Sequence, residues 1–213
     1  MVDSPPTMIL HNGGLRSLVA TAAILSRSRP HLIHLIHVRD SRPNAPARLD
    51  HARRQAAHFE IRHIRILDLP RLPAGPDPKV RLESDTAALY RPLVLLLGLS
   101  CAAEMQAGRL VWPCQFNADF GQCAQATEQS VLALSLARLE RDRLPAIETP
   151  LLELEDQQVI ELGAHMDVPW QLAWSCMLGC ENPCRVCDAC RRRQAAWNAA
   201  GMVEPTEQPL VTS

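Results

Sequence analysis

Lysine is almost absent from this chain. Lys79 is the single one in 213 residues, and arginine carries nearly all of the positive charge. Catalysis through a lysine amine therefore has at most one candidate. Net charge is also nearly missing, at −1. Composition thus offers no electrostatic case for nucleic acid or an anionic membrane as partner. Long apolar runs are missing too. The most apolar stretch, Leu93 to Ala103, falls short of the roughly 20 residues of a bilayer span, and Arg91, Pro92 and Glu104 flank it. The N-terminal stretch has Asp3 and two prolines where a signal peptide would have a basic region. No internal repeat is found. These absences predict a cytoplasmic protein with reduced thiols and one sizeable core, with room for a small appended module.

Cysteine, by contrast, is concentrated. Five of the eight cysteines fall between Cys176 and Cys190. Cys184, Cys187 and Cys190 are spaced C-x2-C-x2-C, with Cys176 eight positions upstream. Short turns at that spacing can aim several thiolates at one centre. Zinc takes four such ligands in a tetrahedron, with Zn–S of about 2.3 Å. The expected ligands are Cys176, Cys184, Cys187 and Cys190, with Cys180 free or an alternative ligand. Disulfides fit poorly with reduced thiols, and an iron–sulfur cluster is the second choice of metal. A closed four-thiolate site carries a net charge of about −2 and leaves no open position, so the metal would be structural. Arg185 and the run Arg191–Arg193 are expected to offset that charge or to form a solvated helix face. Cys114 and Cys123 read as packing, with a reactive pair as the other reading.

Apolar periodicity alternates between strand and helix along the chain. Thr7 to His11 suits a buried strand, Asn12-Gly13-Gly14 marks a turn, and Leu15 to Leu25 recurs at helical spacing. His31 to Val38 (HLIHLIHV) reads as a second strand. Its histidines fall on two faces, His31 and His37 on one and His34 on the other, as polar edge or strand-end residues. Arg48 to Phe59 is an amphipathic helix and His63 to Leu69 a third strand. Pro70 to Pro78 is a proline-rich loop. Thr86 to Gly108 is a long helix, kinked or begun near Pro92. Arg109 to Pro113 is a fourth strand, Asn117 to Gln125 a polar loop, and Ala126 to Arg141 a helix. Glu153 to Leu162 is another helix, with Gly163 as its C-cap. Cys190 opens a last helix that Gly201 ends, and the tail beyond Val203 is polar.

This order predicts an α/β fold, a parallel sheet with helices on both faces. The expected division is a nucleotide-binding domain over 1–172, a small zinc-binding module over 173–203 and a flexible tail over 204–213. Ligands of such sheets bind beyond the carboxyl ends of the strands. That puts Asn12 to Ser17 at the mouth of the site, where two glycines and a helix N-terminus can receive phosphate.

Beside the cysteine module, this chain resembles the 7-cyano-7-deazaguanine synthase family, ATP-dependent ligases of the queuosine pathway with an SGGxDS pyrophosphate (PP) loop. Asn12-Gly-Gly-Leu-Arg-Ser17 occupies the loop's place. Glu148 to Leu154, Val159 to Gly163 and Val168 to Cys176 look like the family's run into its zinc module. Trp174-Ser-Cys176, the three later cysteines and the arginines after Cys190 match its C-terminal signature.

The resemblance implies an adenine nucleotide alpha-hydrolase-like, Rossmann-like fold, structural zinc and ATP with magnesium. It also implies a homodimer, for which Leu93 to Ala103 offers an apolar surface. The implied reaction adenylates the carboxylate of 7-carboxy-7-deazaguanine. Ammonia displaces AMP to give the amide, and a second adenylation dehydrates the amide to the nitrile. Asn12, Gly13, Gly14, Leu15, Arg16 and Ser17 would bind the nucleotide. Asp119 would meet the base, with an ordinary loop aspartate as the other reading.

Four departures stand out. Asn12 and Arg16 replace the loop's first serine and its aspartate. Tyr90-Arg-Pro92-Leu-Val replaces a tyrosine-proline-glycine-arginine-asparagine segment. Asn117 to Cys123 is shorter than the family's SGYPDC-like loop, and His37-Val-Arg-Asp40 replaces a tyrosine-glycine-glutamine strand end. Arg16 either grips a phosphate or fills the nucleotide site. Beside the synthase reading stand two others. One is a diverged paralogue that binds a nucleotide or base, or modifies a macromolecule, without making nitrile. The other is a zinc-stabilised interaction protein with no nucleotide site.

Overall fold

A computed structural model describes residues 5–69 and 85–205 of the chain. The proline-rich stretch 70–78 and most of the predicted tail lie outside the described residues. Among the described residues, five strands form one sheet in the order β3-β2-β1-β4-β5. They are β1 Thr7–Leu10, β2 Ile33–Arg39, β3 His63–Asp68, β4 Arg109–Val111 and β5 Ala146–Glu148. Every pairing is parallel, so all carboxyl ends lie along one edge. The helices are α1 Leu15–Leu25, α2 Ala45–His58, α3 Asp85–Glu104, α4 Phe120–Ala137, α5 Asp156–His165 and α6 Asp188–Ala199. The predicted parallel α/β sheet is the observed fold.

Two apolar layers cover the sheet, as its side-chain alternation requires. Met8 and Leu10 of β1 meet Leu95 and Leu99 of α3 with Leu110 of β4 on one face. Ile9, Ile33, Leu35 and Val111 pack with Ile24 of α1 and Ala56 of α2 on the other. A third cluster joins α1 to α5 and α6 through Leu18, Val19, Val159, Ile160, Trp170 and Trp197. The cysteine-bearing helix is thus seated on the main body of the protein.

The structure corrects several sequence expectations. β2 is an inner strand, and His37 within it is only 1% exposed. It is not an edge residue, because its Nδ1–H donates to the His11 carbonyl at 2.9 Å and so satisfies it inside. His31 belongs to a short 3-10 turn, Pro30–Leu32, ahead of the strand. Of the two readings of Pro92, the one that keeps it inside α3 holds. The polar segment Asn117 to Gln125 is a loop only as far as Asp119, which caps α4 by accepting from Gln122 N at 2.8 Å. Gly163 lies within α5, and Met166 follows the helix. A Cβ on Gly163 would come within 2.3 Å of the Trp170 ring, so close packing explains that glycine. Cys187, not Cys190, opens the last helix. The short β5 was not predicted at all. In α3, Leu95, Leu99, Ala102 and Ala103 are buried in the chain's own core. On and just after α4, by contrast, Val131, Leu132, Leu136 and Leu139 are exposed.

Candidate functional site

β1 ends at Leu10 and the chain turns through Asn12, Gly13 and Gly14 into α1. Gly13 has φ of +72°, and a Cβ there would lie 2.1 Å from the Arg48 carbonyl, so only glycine fits. The turn is held from three sides. Gln55 Nε2 donates to the Gly13 carbonyl at 2.9 Å, and the Trp174 N–H donates to the same oxygen at 2.9 Å. Arg48 Nε donates to the Asn12 carbonyl at 3.3 Å. Inside the loop, Asn12 Oδ1 accepts from Gly14 N at 2.9 Å and from the Ser17 hydroxyl at 2.7 Å. Ser17 Oγ in turn accepts from Asn12 N at 3.0 Å. The Asn12 side chain therefore closes a small internal ring. Leu15 opens the helix beyond it.

Beyond the carboxyl ends of β1 and β4 lies a cavity of about 730 Å³. This is where the strand order reverses, the usual place for a ligand in such sheets. Its walls come from six separate places in the chain. They are Asn12 and Arg16 of the loop and α1, Arg91 of α3, Trp112 to Asn117 after β4, Asp119 and Gln122 at the start of α4, Asp156 of α5 and Arg192 of α6. Among the described residues, three guanidinium groups and two carboxylates face it, an excess of positive charge.

Asp156 is the hub of that charge. Arg192 grips it with two bonds, Nε to Oδ2 at 2.5 Å and Nη2 to Oδ1 at 2.9 Å. Arg16 Nη2 stands 3.6 Å from Oδ1. Arg192 Nη2 also donates to Gln115 Oε1 at 3.1 Å, and Gln115 is fixed by donating to the Leu154 carbonyl at 2.7 Å. Arg91 stacks over the Phe116 ring at 4.6 Å. Burial first, and the charge of Arg192 second, lower the pKa of Arg16 to about 10, so it stays charged at neutral pH. Burial pushes the Cys114 thiol up to about 12, which keeps it protonated and fits its reading as packing. Asp119 lines the same cavity while its Oδ1 caps α4.

On the β2 side of the loop, the strand end is filled by the chain itself. Asp40 accepts from Arg42, Arg48 and Tyr90, at 2.6, 3.0 and 2.8 Å for the closest bond of each. Burial opposes its charge, but these donors prevail and hold the carboxyl well below its usual range. Beneath it, burial and the neighbouring Arg48 lower the pKa of His37 to about 4. Burial and His37 lower that of His11 to about 3.

The four predicted cysteines come together. The sulfurs of Cys176, Cys184, Cys187 and Cys190 lie within 4.8 Å of one another and form a group able to hold a metal ion. Cys180 is exposed and outside this group. The backbone N–H of Cys187 donates to Cys184 Sγ at 3.3 Å, and that bond chiefly lowers the Cys184 thiol to about 6. The arginines after Cys190 take three different partners, and Arg191 and Arg192 lie on the exposed helix face that was one of the two expectations. Arg191 donates to the Val186 carbonyl at 2.7 Å beside the cluster, whereas Arg193 donates to the Ala173 carbonyl at 2.5 Å and Arg192 enters the cavity. Helical geometry of about 100° per residue explains Arg192, which points roughly away from Cys190.

Residues 94–201, just over half of the chain, match the family model described as queuosine biosynthesis protein QueC. The chain belongs to the QueC family. Curated relatives agree with that membership. The 7-cyano-7-deazaguanine synthase of Methanothermobacter thermautotrophicus is 26% identical over 219 residues, which cover 92% of this chain and 96% of that protein. The synthase of Trichodesmium erythraeum is 36% identical over 77 residues, but the match spans only 36% of this chain and 35% of that relative. That of Nostoc punctiforme is 46% identical over 59 residues, 28% of this chain and 26% of the relative.

Among solved structures, the U34-tRNA thiolase NcsA of Methanococcus maripaludis with its [4Fe-4S] cluster superposes with a TM-score of 0.51. Its identity is 14%, with 92% of this chain and 65% of that one covered. The NMN synthetase of Francisella tularensis gives 0.51 and 13% over 94% and 79%. At such identity these two show the shared fold. Within the QueC family's scaffold, Arg16, Asp156, Gln115 and Arg192 were not foreseen as one group, because four different elements supply them.

Proposed function

We propose that this chain is a 7-cyano-7-deazaguanine synthase-like, ATP-dependent ligase acting on a deazapurine carboxylate with ammonia. The observation that carries the reading is the arginine-lined cavity at the switch point, beside the glycine turn, in a QueC family scaffold. Gly13, Gly14, Leu15, Arg16 and Ser17 would receive the phosphates of ATP, with magnesium, at the N-terminus of α1. Asn12 would hold the turn in shape. Asp119, with Oδ1 engaged in capping, has Oδ2 to offer the base. The arginines would stabilise a departing pyrophosphate, and the walls would keep water from the activated acid.

Cys176, Cys184, Cys187 and Cys190 would hold one structural zinc. A tetrahedron with Zn–S of about 2.3 Å has sulfur–sulfur edges of about 3.8 Å, which suits sulfurs already this close. A four-iron cluster would need them further apart to make room for its own body. In this reading 173–203 is a metal-stabilised module, and a homodimer would use the apolar residues of α4. Light scattering reads the dimer directly.

The decisive experiment supplies zinc-loaded protein with 7-carboxy-7-deazaguanine, ammonia and ATP. Release of pyrophosphate that requires the acid, with the nitrile appearing by mass spectrometry, is the expected result. ATP left intact at millimolar concentration would end the ligase reading. A second reading, a diverged paralogue that binds a nucleotide or base without making nitrile, is favoured by Asn12. Its Oδ1 already takes the Gly14 N–H and the Ser17 hydroxyl. Tight binding with no nitrile would select it.

A further inference from the structure

Asp156 is well placed by its own helix, apart from the two cations it meets. As the first residue of α5 it already sits where a carboxylate is favoured by the helix dipole. Its backbone N–H is satisfied by Asn117 Oδ1 at 2.9 Å. Yet its carboxylate is the shared partner of Arg192 and Arg16, in the wall of a cavity with room for a ligand larger than an isolated ion. The side chain is 21% exposed, so it is reachable from the cavity. Arg192 does not depend on Asp156 alone for its place, because Gln115 Oε1 also accepts from it and Gln115 is itself anchored.

We infer that Asp156 is an internal counter-ion, standing where the anionic group of a ligand binds, and that a phosphate or carboxylate must displace it from Arg16 and Arg192 to enter. The inference rests on reading the cavity as the ligand site. Displacement makes Asp156 a specificity-determining residue. A neutral ligand gains nothing by breaking two ion pairs. A multiply charged oxyanion recovers both and adds Arg91, which waits over Phe116. Guanidinium groups suit this exchange, since their forked donors pair equally well with carboxylate and phosphate oxygens. The opposite role is also physically clear. If Asp156 instead pre-organises the two arginines for the ligand, its loss loosens the clamp and weakens binding.

The two roles predict opposite signs. Calorimetry on zinc-loaded wild type, Asp156→Asn and Asp156→Ser would use two probes, inorganic pyrophosphate and 7-carboxy-7-deazaguanine. Displacement predicts that both variants bind at least one probe about tenfold or more tighter than wild type. The probe that gains identifies which oxyanion takes the aspartate's place. Unchanged or weaker binding in both variants overturns the inference. If, in that case, wild type still binds a probe and Arg91→Ala weakens it, the cavity remains the ligand site. No binding of either probe to any of the proteins, with melts showing folded material, removes the cavity reading and the inference with it.

Discussion

Arg16 on the first turn of α1 and Asp156 on the first turn of α5 face each other across the cavity mouth, with 3.6 Å between Nη2 and Oδ1. A cation at a helix N-terminus is ordinarily unfavourable, and here a carboxylate from another helix offsets it. The pair is partly exposed, so its own worth to folding is small, about 1 kcal/mol or less. Arg16→Ala should therefore leave the melting temperature within a few degrees of wild type. It should nevertheless weaken the binding of pyrophosphate or ATP by about tenfold, as expected for a lost charge-assisted contact. A variant that binds ATP as well as wild type would show that Arg16 plays no part in holding phosphate.

Gly13 combines a left-handed backbone with no room for a side chain. Gly13→Ala should destabilise the fold by about 2 kcal/mol or more, which for a chain of this size lowers the melting temperature by roughly 4–8 °C. Gly201 also has positive φ, at +65°, but meets nothing within 4 Å. Gly201→Ala should therefore be the milder change, and a reversed order in thermal melts would contradict the loop geometry.

Metal content offers a third check. One ion per chain is expected by elemental analysis, and Cys187→Ser should lose it and unfold at least the C-terminal segment, since structural metal binding is coupled to folding. Cys180→Ser should retain both, because Cys180 stands outside the sulfur group. Loss of metal in Cys180→Ser with retention in Cys176→Ser would reverse the ligand assignment.

The buried histidines predict a pH dependence. Folding lowers His37 to about 4 and His11 to about 3 from an ordinary value of 6.5. Between pH 6.5 and those values the unfolded chain binds protons that the folded chain refuses, so stability falls as pH falls. Several kcal/mol is the order expected for the pair, at about 1.4 kcal/mol per pKa unit. Urea unfolding between pH 7 and 4.5 should show this loss, and His37→Gln should flatten it. An equally steep profile in that variant would place the acid sensitivity elsewhere.

Much of the scaffold was legible from local pattern. Thr7 to Leu10, the glycine turn and Leu15 to Leu25 announce themselves because apolar period, turn chemistry and helix spacing agree. The cysteines were legible as well, since their spacing alone brings the thiolates together. Three-residue β5 was not, because a strand that short has no period. The start of α4 was hidden by its polarity, although Asp119 three residues before Gln122 is a readable cap. The cavity was least legible. Arg91, Gln115, Asp156 and Arg192 stand far apart in sequence, and only the sheet order and the seating of α6 bring them to one place.

Trp174 gives one more consequence. Its backbone N–H holds the Gly13 carbonyl at 2.9 Å, while its indole N–H holds the Cys176 carbonyl at 3.0 Å. A single residue thus ties the glycine turn to the first cysteine of the cluster. In amide hydrogen exchange the two should behave as one cooperative unit. Treating the loaded protein with a chelator should release protection at Gly14 and Trp174 in step with the cysteine segment, some 160 residues away along the chain, while β1 and β2 stay protected.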